Sequence, residues 1–204
     1  MEKERGQVGR PRSEHARVAV LRAVDDLLLE VGYRAMTMKN IAERAGVARM
    51  TVYRWWSTKA EILFEASAAD AEDELALVPS GPPSDALAAY LTALVQFLAH
   101  SPAGIAYRAL LGEAQHDSAV AGLLASKDVL GDSARAAIGY VLPPGATAMT
   151  MEEATATLIG PVFFWIMSGR DPAGLDPREL AEAFLREIHA RDTRSRAAQS
   201  GGPQ

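Results

Sequence analysis

An all-α fold is expected for this chain, on three observations. Apolar residues recur three and four apart along most of the 204 residues, strand-like alternation is nearly absent, and proline and glycine clusters cut the pattern into helix-length pieces. About nine helices follow: three in a small N-terminal unit, a fourth as connector, and the rest in a larger bundle. With 49% of residues hydrophobic, the chain has enough apolar material for a substantial core.

Residues 1–12 are polar and basic, with Gly6, Gly9 and Pro11, and are expected to form a flexible arm. From Ser13 a helix should run through Val20, Val24, Leu27, Leu28 and Val31, stopped by Gly32. Thr37 can cap a second helix, which Ala45-Gly46-Val47 ends because Gly46 tolerates positive φ. A third short helix opens near Arg49. Ser57 and Thr58 then cap a connecting helix over 59–78, with Ile62, Leu63, Ala66 and Leu75 inward.

The run Pro79-Ser80-Gly81-Pro82-Pro83 breaks the chain. Beyond it the spacing predicts helices over Ser84–Ala99, from Pro102 through Leu111, over Ser118–Val141, over Met151–Ser168, and from Pro177 through Ile188. Residues 191–204 read as a frayed tail. The expected organisation is therefore an arm (1–12), a helix-turn-helix domain (13–58), the connector (59–78), a second domain (79–190) and a tail.

The formal charge of −5 is unevenly divided. Residues 1–60 hold 12 Lys/Arg against 7 Asp/Glu, and residues 61–204 hold 9 against 19. A basic quarter on an acidic body suits a protein that meets phosphate at one end. Cysteine is absent, which removes disulfides, thiolate metal sites and cysteine nucleophiles and fits a reducing cytoplasm. No apolar run approaches the roughly 20 residues that cross a bilayer, and the first residues lack an apolar signal region. No membrane partner is expected, and a cytoplasmic location is. His100, His116 and His189 are scattered, and neither HExxH, GxSxG nor a phosphate-binding loop occurs, so no enzyme, cofactor or metal is expected.

The segment Thr37–Lys59, TMKNIAERAGVARMTVYRWWSTK, carries most of the functional information. Ile41, Ala42, Ala45, Val47 and Val52 are spaced to bury one face of two short helices. The second helix is left with Arg49, Met50, Thr51, Tyr53, Arg54 and Trp55 as free surface. This is the chemistry of a helix-turn-helix, whose usual target is the DNA major groove. Residues 13–63 resemble the N-terminal domain of the tetracycline-repressor (TetR) family of bacterial transcription regulators. The resemblance lies in T-x-x-x-IA-x-x-AGV-x-x-x-TVYRWW-x-x-K-x-x-IL, the preceding amphipathic helix and the GRPR arm. Tyr53-Arg54-Trp55-Trp56 departs from the family's commoner ending in phenylalanine, so Trp56 takes that buried place.

Duplex DNA is thus the expected partner. Arg49 has the geometry to fork onto guanine, and Met50 and Thr51 are the next candidates for base edges. Tyr53, Arg54 and Trp55 would hold the sugar-phosphate wall, the family's usual roles carried onto Tyr53 and Trp55. Lys59, at a helix N-terminus, would add a phosphate contact. Thr37 serves either as cap or as phosphate ligand. Arg10 and Arg12 on the arm would enter the minor groove or lie over the backbone.

One such unit makes few base contacts, so a homodimer on a palindromic operator is expected. Its interface is placed on the last two helices, through Gly160, Phe163, Phe164, Met167, Leu180, Phe184 and Ile188. The resemblance also implies a pocket for a small-molecule effector in the larger domain, with Leu94, Phe97, Tyr107, Leu111, Tyr140 and Trp165 as lining candidates. That lining suggests a largely apolar effector, releasing a repressor from its operator. The alternative is a small-molecule binding module with a vestigial DNA unit.

Overall fold

A computed structural model describes residues 10–76, 81–143 and 147–200, and side chains from Glu14 to Ala197 within them. The described residues are helical, and the expected fold class holds. In order they form α1 (Arg10–Ala35), α2 (Met38–Arg44), α3 (Arg49–Tyr53), α4 (Lys59–Glu74) and α5 (Pro83–His100). There follow α6 (Pro102–Ala114), α7 (Ser118–Ala125), α8 (Val129–Val141), α9 (Met151–Met167) and α10 (Pro177–Ser200), with a short 3-10 turn at Pro172–Gly174.

The chain forms two compact units. The first joins residues up to Asp70 with Ala106–Ser126, and the second joins Ala71–Ile105 with the chain from Lys127 onward. The expected boundary at the connecting helix therefore shifts: the end of α6 and all of α7 pack with the helix-turn-helix.

In the first unit, α1 buries Val20, Ala23, Val24, Leu27 and Leu28. It begins at Arg10 rather than Ser13, so Arg10 and Arg12 sit on helical backbone; their side chains, and the arm 1–9, lie outside the described residues. Gly32, at φ 74°, breaks the helix where expected. Thr37 caps α2 together with Asn40: the hydroxyl accepts from the Asn40 amide at 3.2 Å, and the Thr37 amide donates back to Asn40 Oδ1 at 2.7 Å. The turn into α3 satisfies the last carbonyls of α2. Val47 N donates to Ala42 O at 3.1 Å and Gly46 N to Glu43 O at 3.2 Å, which requires Gly46 at φ 65°. At the start of α4 the Thr58 hydroxyl accepts from the Glu61 amide at 3.2 Å, and the Glu61 carboxylate accepts from the Ser57 amide at 2.8 Å.

The second unit packs α5 against α8, α9 and α10. Leu87, Leu91, Leu94, Phe97 and Leu98 form its centre. At the bend from α5 to α6, a Cβ on Gly104 would lie 1.7 Å from the Phe97 carbonyl, so the close approach requires glycine.

Two expectations need correction. The helix placed over Ser118–Val141 is two helices, split at Ser126–Asp128, because the Asp128 carboxylate caps α8 through the Gly131 amide at 3.1 Å. The tail from Arg191 is helical to Ser200. It is held by Arg191 on Glu187 at 2.7 Å and by Asp192, which accepts from the Ala148 amide at 2.7 Å. The expected end of the connector at Val78 lies outside the described residues, and the described helix stops at Glu74.

Candidate nucleic-acid interface

Only one residue anchors α3. Val52 is fully buried, and the five-residue helix turns nearly everything else outward. Arg49 is exposed at its first position, Met50 is 78% exposed, Tyr53 is 44% exposed and Thr51 is half-buried. Met50 is the most exposed of the large apolar side chains in the first unit, so it adds little to the packing of its own fold. Arg54 lies over the half-buried Trp55 ring, 5.0 Å from its centroid, and Trp55 meets Trp56 edge-on at 5.4 Å.

Trp56 is buried, in the place expected. Its indole Nε1 donates to Glu65 at 2.9 Å, and the same carboxylate receives Arg17 Nε at 2.8 Å. Glu65 thus ties α1, α4 and the end of the reading segment together. It carries no motif signal, because its partners come from distant parts of the chain.

Carboxylates hold several cations of the first unit. Arg17 pairs with Glu65, Lys39 with Glu43, and Arg44 with Glu30 and Asp26, so Arg44 links α2 to α1. Among the described residues, no ion pair takes in Arg34, Arg49 or Arg54. Arg22, Arg108, Arg170 and Arg196 are likewise in no ion pair among the described residues, and Arg49 and Arg54 are the two that α3 and its C-cap carry.

Two expected phosphate ligands are otherwise engaged. The Thr37 amide and hydroxyl both face Asn40 Oδ1, at 2.7 and 3.0 Å, leaving Thr37 as a cap. Lys59 turns its ammonium away from the helix start. It donates to the carbonyls of Tyr33 at 2.6 Å and Met36 at 3.0 Å, and stands 4.1 Å from the Tyr33 ring centroid. Burial lowers its pKa, and the Glu113 charge opposes that shift.

The other candidate groups divide. Of the interface residues, Phe164 is 62% exposed, Met167 is exposed, and Gly160, Phe163 and Leu180 are half-buried. Phe184 and Ile188 are instead buried within the second unit, where α10 packs on α5, and are unavailable to a partner. Of the pocket candidates, Leu94, Phe97 and Tyr107 are buried, Leu111 is half-buried and Tyr140 is exposed. Trp165 donates its indole N–H to the Asp171 carbonyl at 2.7 Å. None of the six lines the 570 Å³ cavity of the first unit or the 210 Å³ cavity of the second. The sequence pattern marked them as apolar and helical, which is equally the mark of close-packed core.

Residues 20–66 match the family model described as bacterial regulatory proteins, tetR family. A curated relative, the uncharacterized HTH-type transcriptional regulator YdeS of Bacillus subtilis, is 39% identical over 113 residues. That match takes in 55% of this chain and spans little more than half, 57%, of the relative. Among solved structures, the TetR family transcription regulator SCO0332 superposes with a TM-score of 0.64 at 24% identity, covering 86% of this chain and 97% of that one. RolR in complex with resorcinol gives 0.62 at 19% identity, covering 95% and 98%. At these identities the likeness is one of fold.

Proposed function

We propose that this chain, whose residues 20–66 match the tetR family of bacterial regulatory proteins, acts as a homodimer that reads a two-fold operator in duplex DNA and releases it when a small molecule binds. The observation that carries the DNA reading is the outward surface of α3. Arg49, Met50 and Tyr53 stand exposed on a short helix held by Val52, Arg54 follows at its C-cap, and among the described residues no carboxylate pairs with either arginine.

The recognition helix would enter the major groove with Arg49 leading, Met50 and Thr51 beside it, and Tyr53, Arg54 and Trp55 along the backbone. Arg49 supplies a planar fork that matches guanine O6 and N7. Stacking of Arg54 on Trp55 holds that guanidinium in place at little further entropic cost. Lys59 and Thr37 support this surface from behind through the ends of α1 and α2.

Dimerisation would use the outer face of α9. Phe164 and Met167 are exposed there, and a Cβ on Gly160 would meet nothing within 4 Å, so a second backbone has room to approach. Leu180 would lie at its edge. The resorcinol bound to RolR supports small-molecule control in this fold. Release would follow population shift: the effector favours a conformer whose recognition helices no longer match successive grooves.

The test is binding to duplex DNA flanking the gene, measured by fluorescence anisotropy at several salt concentrations. Several phosphate contacts per subunit require log affinity to fall steeply with log salt, by about 0.9 per neutralised phosphate. Affinity independent of salt, or equal for a scrambled duplex, contradicts the proposal.

A further inference from the structure

We infer that the cavity beside Lys59 is a binding site for a small organic cation with an apolar body. The cavity lies wholly within the first unit and measures about 570 Å³, a size suited to a small molecule rather than a bare ion. Val120, Leu123, Ala119 and Tyr33 offer it an apolar lining, and a Cβ on the lining residue Gly122 would meet nothing within 4 Å.

Charge selects the ligand. One cation, Lys59, and three carboxylates, Glu61, Glu113 and Asp117, line the space. Lys59 spends two N–H donors on the Tyr33 and Met36 carbonyls. Glu61 is taken by the Ser57 amide at 2.8 Å and faces the Thr58 hydroxyl at 3.4 Å. Asp117 Oδ1 caps α7 on the Ala119 amide at 2.8 Å. The Glu113 carboxylate forms no hydrogen bond or ion pair among the described residues. The charge of the lining is net negative, one ammonium against three carboxylates, and Glu113 and Asp117 add to the burial that pushes the Tyr33 hydroxyl up to about 12. An ammonium or guanidinium is attracted there, and a carboxylate ligand is repelled.

Occupancy has a mechanical consequence, and this part rests on the regulator reading above. A cation against Glu113 stands near Lys59, a like charge whose hydrogen bonds hold the end of α1 to the start of α4. Repulsion disfavours that clamp, so ligand and DNA oppose each other's binding by the same factor.

Calorimetry on the full chain with phenethylamine, 2-phenylethanol and phenylacetate at neutral pH tests the site. The amine, protonated at that pH, should bind at least about tenfold tighter than the alcohol, and phenylacetate weakest. Glu113→Gln should remove that advantage, and Gly122→Leu, which fills the space, should remove binding with an unchanged unfolding midpoint. Equal affinity for all three compounds, or full affinity in either variant, overturns the site. In an anisotropy experiment, saturating phenethylamine should weaken operator binding in the parent chain and leave Glu113→Gln unaffected. A bound amine with unchanged DNA affinity overturns the coupling alone. Loss of all DNA binding by the unliganded chain overturns the regulator reading, while calorimetry still decides the site.

Discussion

The Lys59 ammonium stands over the Tyr33 ring, 4.1 Å from its centroid, and donates at 2.6 Å to the carbonyl of the same residue. One side chain thereby closes the end of α1, just past the Gly32 kink, onto the first residue of α4. A basic residue at this place is expected from charge alone to seek phosphate. Its geometry makes it a clamp.

Lys59→Met should therefore lower the stability of the chain by about 1–2 kcal/mol, the modest end for hydrogen bonds to a charged donor because the ammonium is partly solvated. Denaturant titration measures this. The same variant should leave the salt dependence of DNA binding unchanged. A slope smaller by about one charge would return Lys59 to the phosphate-contacting set.

Asp25 gives a pH dependence. It is half-buried on α1, and burial first, then the charges of Asp70 and Asp26, raise its carboxyl to about 6. The folded pKa lies above the unfolded value, so the folded state holds the proton more tightly. Stability from this group is present below about pH 4 and is lost as pH rises to about 6. Asp25→Asn should accordingly raise stability at pH 7.5 by about 1 kcal/mol, after discounting for solvent screening at a partly exposed site, and have almost no effect near pH 4. An equal effect at both pH values would remove this account.

Phe164 tests the proposed assembly. It is largely exposed, with Arg170 over its ring at 4.7 Å, so Phe164→Glu should leave the subunit folded, with an unchanged far-ultraviolet circular dichroism spectrum. Sedimentation should show the parent chain as a dimer and the variant as a monomer. A variant that remains dimeric at micromolar concentration places the interface elsewhere.

The legible parts of the fold were those where a local device acts within a few residues. Gly32 and Gly46 end helices because they hold positive φ, and Pro83, Pro102 and Pro177 open them because proline's fixed φ suits a first turn. The split at Ser126–Asp128 was hidden because apolar spacing runs through it. The Asp128 cap competes with a helix that the spacing alone would continue. The length of α10 depends on Asp192 reaching residues 147 and 148, a tertiary contact that no local pattern records.

The site was legible in the same measure. The outward set on α3 followed from helical spacing, since Val52 alone turns inward. The directions of the Lys59 and Thr37 donors did not, because each is decided by a partner, Tyr33 or Asn40, that competes with phosphate. Burial of Phe184 and Ile188 escaped notice for a related reason. An apolar stripe on a helix has the same spacing whether it meets its own chain or another.

The central claim is tested most directly by operator affinity of the double variant Arg49→Ala/Tyr53→Ala beside the parent chain. Both side chains are exposed, so the variant should unfold within about 0.5 kcal/mol of the parent. Its affinity for the specific duplex should fall by about 10- to 100-fold or more, approaching that for a scrambled duplex. A folded double variant that holds the operator as tightly as the parent would contradict the account.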